Sequence, residues 1–169
     1  MLQAGLHNLR QASVRITEVS PRDGLQHESE FVPTLRKISL INALSRTGVA
    51  EIEASSFVSP AAIPQLADSD EVLRAIDRIP GVTYSALVPN ERGLERARAA
   101  GVDKIAVFTA ASNSFTRHNI KATVQESLVR FRPIVAAAKR DGLAVRAYLS
   151  TVVFCPYEGR IAPAQGRDV

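Results

Sequence analysis

The feature that most constrains this 169-residue chain is an alternation of two hydrophobic rhythms. Short runs at Arg15 to Val19, Val49 to Ala54, Val82 to Val88, Lys104 to Thr109 and Leu143 to Val153 are apolar throughout or alternate with period two, and they read as strands. The segments between them have helical spacing. Thr34 reads as the cap of a first helix, with Ile38, Ile41 and Leu44 on its buried stripe and Gly48 just past its end. Asp68 or Ser69 opens a second helix through Leu73 and Ile76, which stops before Pro80-Gly81. Asn90 caps a third, carrying Leu94, Ala97 and Ala100 and closed by Gly101. Thr123 and Glu126 form a capping-box pair that opens a long fourth helix with Leu128, Phe131, Ile134, Val135 and Ala138, within which Pro133 removes one backbone bond. Ala110 to Ser114 reads as a polar loop of small residues, and the chain beyond Val153 as a tail.

Five strands alternating with four helices require a parallel sheet, because each short crossover must return the chain to the same end. Strand starts recur about every 32 residues, and eight such units would match the roughly 250 residues of a complete β/α barrel. This chain has room for five. It is therefore a complete open sheet of the flavodoxin kind or the first part of a barrel whose closing strands are absent. The strand faces favour the barrel. Val145, Ala147 and Leu149 alternate with Arg146, Tyr148 and Ser150, whereas a sheet covered by helices on both faces reads as nearly continuously apolar. A polar row needs a pocket, and Glu18 and Ser20 in the first strand repeat it. No glycine-rich phosphate cradle is present. The expected fold is α/β, the first five βα units of an incomplete (β/α)8 TIM barrel over residues 14–169, preceded by a leader over 1–13.

The 46% hydrophobic and 22% charged composition suits a single-domain core. No run of about eighteen apolar residues is present to span a membrane. The formal charge of +4 is scattered among acids, with three Tyr and no Trp for base stacking, which argues against a nucleic-acid partner. Cys155 stands alone, so there is no disulfide framework, in keeping with a reducing compartment. The leader lacks a secretory apolar core and is short for a transit peptide, which makes the cytoplasm the expected location and the mitochondrial matrix the alternative.

Chemistry concentrates in RITEVSPRDGLQ, Arg15 to Gln26. Pro21 fixes φ, Gly24 permits a tight turn, and Arg22 and Asp23 sit side by side at the carboxyl end of a strand, where parallel α/β folds assemble their sites. A carboxylate suits a hard cation and a guanidinium suits an anion. The competing reading is a surface Arg-Asp pair on a Pro-Gly turn, which this stretch alone slightly favours. The second strand delivers Glu53, and then Ser55 to Pro60, to the same end.

Taken together, PRDGLQ at Pro21 to Gln26, IEASSFVSP at Ile52 to Pro60, PQLAD at Pro64 to Asp68, LVPN at Leu87 to Asn90, AAS at Ala110 to Ser112, NI at Asn119 and CPYEG at Cys155 to Gly159 resemble hydroxymethylglutaryl-CoA lyase. That family belongs to the metal-dependent lyase, aldolase and Claisen-condensing barrels. The likeness runs in register from about Val14 to Pro163. It implies a divalent cation, Mg2+ or Mn2+, held by Asp23. The family's other ligands, two His in a His-x-His motif and an Asn, have no counterpart here, and neither does its mobile Gly-rich loop with the catalytic cysteine. Cys155 matches a different family cysteine.

The implied reaction is retro-Claisen cleavage of hydroxymethylglutaryl-CoA to acetyl-CoA and acetoacetate, as in leucine degradation and ketone-body formation. By resemblance Arg22 and Glu53 are catalytic and Arg22 contacts the acyl-CoA substrate; Gln26 and Ser56 stand evenly between substrate contact and ordinary turn and cap roles, and Tyr148 and Arg146 face the expected lumen, Tyr148 as a substrate contact and Arg146 with a structural alternative, linking strands by charge-assisted bonds. A dimer is implied by the family alone. The sequence departs from the family at Ser29, where Lys is common, which bears on substrate identity rather than class. Two other readings stand beside the enzyme: a non-catalytic partial barrel, expected to show no turnover as a 169-residue form, and a complete five-stranded binding module. A related aldolase or synthase acting on acyl-CoA or 2-oxo acids shares the same metal and Arg logic.

Overall fold

In a computed structural model, residues 14–169 are described, so the leader over 1–13 lies outside the described residues. The elements are β1 (Thr17–Glu18), a π-helical turn (Ser20–Gly24), α1 (Thr34–Ser45), β2 (Glu51–Ser56), a 3-10 turn (Pro64–Leu66), α2 (Ser69–Ala75), β3 (Thr83–Leu87), α3 (Glu91–Ala99), β4 (Lys104–Ala110), α4 (Asn113–Ile120), α5 (Val124–Arg140), β5 (Ala144–Ser150), a hairpin of β6 (Phe154–Cys155) and β7 (Gly159–Arg160), and α6 (Pro163–Arg167).

The five main strands pair in parallel in the order β1-β2-β3-β4-β5. A flavodoxin-like sheet reverses direction at its first strand, so sequential order rules out that alternative. The curl of the sheet is visible in one contact. A flat sheet with strands about 4.8 Å apart would separate β1 from β5 by roughly 19 Å. Instead Arg146 Nη1 on β5 donates to Thr17 Oγ1 on β1 at 3.0 Å. The chain is an incomplete (β/α)8 barrel whose concave face is the lumen.

Helices cover the convex face. Ile52, Tyr84, Ala86, Ile105 and Val107 from the strands pack on Ile41, Leu73, Leu94, Ile134 and Ala138 from the helices. The polar end of Tyr84 is satisfied there, donating to Ser45 Oγ at 2.9 Å and accepting from Ile79 N–H at 3.0 Å.

Local signals held at several helix ends. Asn90 Oδ1 accepts from Gly93 N–H at 2.8 Å, and the Thr123–Glu126 capping box forms. α5 continues through Pro133. Other expectations are corrected. The first strand is two residues, because the chain turns into the π-helical corner at Ser20. Pro33 occupies the cap position of α1, and Thr34 donates instead to Asp68 Oδ2 at 2.8 Å. Asp68 occupies the N-cap position of α2 as expected but makes no side-chain cap bond, since its carboxylate is used by Thr34 and Lys37. The stretch read as a polar loop after β4 turns into α4 at Asn113, and the tail folds into the β6–β7 hairpin and α6. Gly24 does not adopt positive φ, so its turn does not depend on glycine's freedom.

Candidate active site

The concave face is built of two polar layers, both founded on β2, whose residues are all buried. Glu51 and Glu53 lie two residues apart and therefore share a face. Both are fully buried.

In the lower layer, Glu51 Oε2 accepts from Lys104 Nζ at 2.5 Å and from Arg146 Nη2 at 3.1 Å, and Oε1 accepts from Ser85 Oγ at 3.1 Å. Burial pushes the Glu51 pKa up, but the hydrogen bond and charge of Lys104, the charge of Arg146 and the Ser85 hydroxyl outweigh it, so the carboxyl titrates below its ordinary value.

The upper layer opens at the carboxyl end of the strands. Arg22 Nε donates to Glu53 Oε1, and Arg22 Nη1 donates to Asp23 Oδ1 at 2.6 Å. Tyr148 OH donates to the other oxygen of Glu53, Oε2, at 2.5 Å. Burial first, and then the hydrogen bond to Glu53, push the Tyr148 phenol above its ordinary pKa. Arg22 is largely covered, with 14% of its side chain exposed, whereas Asp23 is half-exposed at 51%. The π-helical turn makes this possible, since Asp23 N–H bonds to Val19 C=O at 2.7 Å and brings both side chains to one rim. The same turn holds His27, whose Nδ1 lies 2.7 Å from Asp23 C=O.

The structure therefore brings together Arg22, Asp23, Glu53 and Tyr148. Ser56 joins their face through a register irregularity in β2 between Glu53 and Ser55. Ser85, opposite Glu53, and Leu87, opposite Ser56, are both inward by alternation, so the extra residue turns Ser56 inward and leaves Ser55 to bond Ser69 Oγ of α2 at 2.7 Å. Gln26 is half-buried just past the turn. Cys155 sits apart, fully buried beside Ala111 and Ile161, with Ser112 Oγ 3.0 Å from its sulfur. Burial raises its pKa, but the Ser112 hydroxyl and the Tyr157 and Glu158 backbone groups bring the thiol below its ordinary value.

Among the described residues no three His, Cys, Asp or Glu side chains converge as a metal-binding group. Asp23 is a hard-oxygen donor at the rim and fits as one ligand of a divalent cation, not as a complete site.

Sequence reasoning missed the anchoring role of Glu51. Its signal was present, a second carboxylate at i, i+2 from Glu53 inside an otherwise apolar strand. It also missed Lys37, buried to 3% and bonded to Asp68 and the Gln65 carbonyl, which ties α1 to the loop after β2.

The sequence pattern of the HMGL-like family matches residues 13–168. This chain belongs to the HMGL-like family. The HMGL-like chain is 51% identical over 156 residues to the mitochondrial hydroxymethylglutaryl-CoA lyase of Bos taurus, covering 92% of this chain and 48% of the relative. It spans about half the length of the curated relatives it matches. A crystal structure of the HMG-CoA lyase from Brucella melitensis superposes with a TM-score of 0.88 at 55% identity, covering 90% of this chain and 54% of that one. An HMG-CoA lyase from Acinetobacter baumannii, solved in complex with coenzyme A and 3-methylmalate, superposes with a TM-score of 0.87 at 39% identity, over 91% of this chain and 50% of that one. Curated relatives of this HMGL-like chain include forms named mitochondrial and forms named cytoplasmic.

Proposed function

We propose that this HMGL-like chain carries the Arg-Asp-Glu wall of a carbon-carbon lyase site that cleaves hydroxymethylglutaryl-CoA to acetyl-CoA and acetoacetate. The observation that carries the reading is the Arg22 guanidinium, fixed by buried Glu53 at the open mouth of the barrel. The tertiary hydroxyl loses its proton, the adjacent carbon-carbon bond breaks to leave the ketone of acetoacetate, and the bonding pair becomes the enolate of acetyl-CoA, which then takes up a proton. The hard species is that enolate, whose charge lies on the thioester oxygen.

Arginine carries five N–H donors, and Nε and one Nη1 proton are engaged by Glu53 and Asp23. The rest are available to the developing oxyanion, with a charge that does not titrate away. Asp23 would hold a divalent cation, Mg2+ or Mn2+. When bound, such an ion lowers the pKa of a coordinated hydroxyl and orients the scissile bond. The acyl-CoA portion is supported by the complex of the Acinetobacter baumannii relative with coenzyme A. Gln26, half-buried just past the turn, is placed against the acyl chain, and Ser56 is the weaker candidate because it is only 1% exposed. A homodimer is the proposed assembly on family resemblance; the cytoplasm is the proposed location and the mitochondrial matrix the alternative, since relatives named for each occur.

The test is a fusion of residues 14–169 to the remaining half of the Brucella melitensis relative, assayed for acetoacetate release with Mg2+ or Mn2+. Metal-dependent cleavage that Asp23→Ala abolishes is expected. A folded fusion that leaves hydroxymethylglutaryl-CoA intact, or that turns over a 2-oxo acid in its place, would overturn the reading.

A further inference from the structure

We infer that Arg146 and Tyr148 are positioning residues, which fix the Arg22 guanidinium by locking the second oxygen of Glu53. The catalytic meaning of this rests on the lyase reading, whereas the geometry stands by itself. Its place on the lumen-facing row of the fifth strand made Tyr148 a substrate-contact candidate. Its hydroxyl proton, however, is committed to Glu53 Oε2 at 2.5 Å, and a phenol has one proton to donate.

Arg22 lies on a five-residue turn and is held by two carboxylates of different stiffness. Asp23 is half-exposed, whereas Glu53 is fully buried. The buried partner sets where the guanidinium points, provided that its own carboxylate cannot rotate. A carboxylate held by one oxygen still swings about its terminal torsion, which is broad and roughly two-fold. Arg22 Nε takes Oε1 and Tyr148 takes Oε2, so the carboxylate plane is pinned from the turn after β1 and from β5.

Tyr148 in turn needs its hydroxyl rotor set. Arg146 Nη1 lies 3.4 Å from the phenol oxygen, with a cation facing it, so the hydroxyl presents its lone pairs there and its proton to Glu53. That distance makes the contact an orienting charge more than a full hydrogen bond. Arg146 is itself braced, with Nη2 on Glu51 Oε2 at 3.1 Å and Nη1 on Thr17 Oγ1 at 3.0 Å. The lower layer thus reaches the rim through one path: Glu51, Arg146, Tyr148, Glu53, Arg22.

The test reads the Arg22 side chain directly. In the 169-residue chain labelled with 15N-arginine, the Nε–H proton of Arg22 should be visible at neutral pH and exchange slowly, its signal assigned by its loss in Arg22→Lys. Arg96 is the internal reference, because its Nε donates to Asp70 at 3.0 Å, remote from the path. Tyr148→Phe and Arg146→Met should each speed exchange at Arg22 by about tenfold or more, the loss expected for one hydrogen bond. Arg96 should not change, and Arg146→Lys should restore part of the protection. Unchanged exchange at Arg22 in Tyr148→Phe would overturn the inference. Equal acceleration at Arg22 and Arg96 would overturn it too, since that is general loosening. The readout is a proton on Arg22, so it is independent of whether the fusion cleaves its substrate.

Discussion

Arg22 and Glu51 are both charged and both on the concave face, yet they answer to different physics. Arg22 keeps guanidinium donors that Glu53 and Asp23 do not engage, so in the fusion with the Brucella melitensis half, Arg22→Met should lower kcat about a hundredfold or more with little change in KM. Steady-state kinetics check this, and an equal loss through KM alone would make Arg22 a binding group. Glu51 has no such opening. It is buried under Lys104, Arg146 and Ser85. Glu51→Ala leaves two cations facing each other, and breaking such a buried set costs about 3–5 kcal/mol, measurable by urea unfolding. Its folded-state pKa lies below the unfolded one, so the ionised carboxylate stabilises the fold above the ordinary carboxylate range. That stability is lost as pH falls from about 4.3 through the lower folded value. Acid titration followed by circular dichroism should show the acid limb flattened in Glu51→Gln.

At the scale of elements, the apolar stripes of the helices held, with Ile41, Leu73, Leu94 and Ile134 in the core, whereas only some of the caps did. Asn90 and the Thr123–Glu126 box were readable because a cap needs only residues within one turn of each other. Glu126 titrates below its ordinary value because the Thr123 backbone N–H and hydroxyl both bond it. Thr123→Ala should lower stability by about 1 kcal/mol, read as a shift in the urea midpoint at constant slope. The start of α1 failed the same logic because Thr34 had a stronger tertiary offer from Asp68, itself paired with buried Lys37. α4 was hidden because it is short and held by neighbours: Asn113 Oδ1 takes Val124 N–H at 2.9 Å and Glu158 takes Ser114 N–H at 2.8 Å. Neither contact is local in sequence.

As a whole molecule, five strands in sequential order curl far enough for β5 to touch β1 through a side chain, but not to pair with it. Among the described residues both strands are edges of the sheet. Beside β5, a trough of about 570 Å³ is lined by Leu128, Phe131, Val135 and Ala147. Phe154, Val153 and Tyr157 are also exposed. Unpaired edges next to apolar surface template association. Sedimentation velocity on the chain should show self-association at micromolar concentration, and a single monomer boundary that does not shift with concentration would contradict this.

The sequence by itself determined the alternation of strand and helix, the parallel sheet, the inward row of Arg146 and Tyr148, and the place of the Arg22-Asp23 corner at the carboxyl end of the first strand. All of these follow from periodicity or from residues a few positions apart. Only tertiary structure decided that Glu51 anchors the lower layer, that a register irregularity turns Ser56 inward, and that the Tyr148 hydroxyl belongs to Glu53. Those depend on which strands curl within reach of one another. Tyr148 and Glu53 are 95 residues apart in sequence, and only closure of the sheet fixes the distance between them.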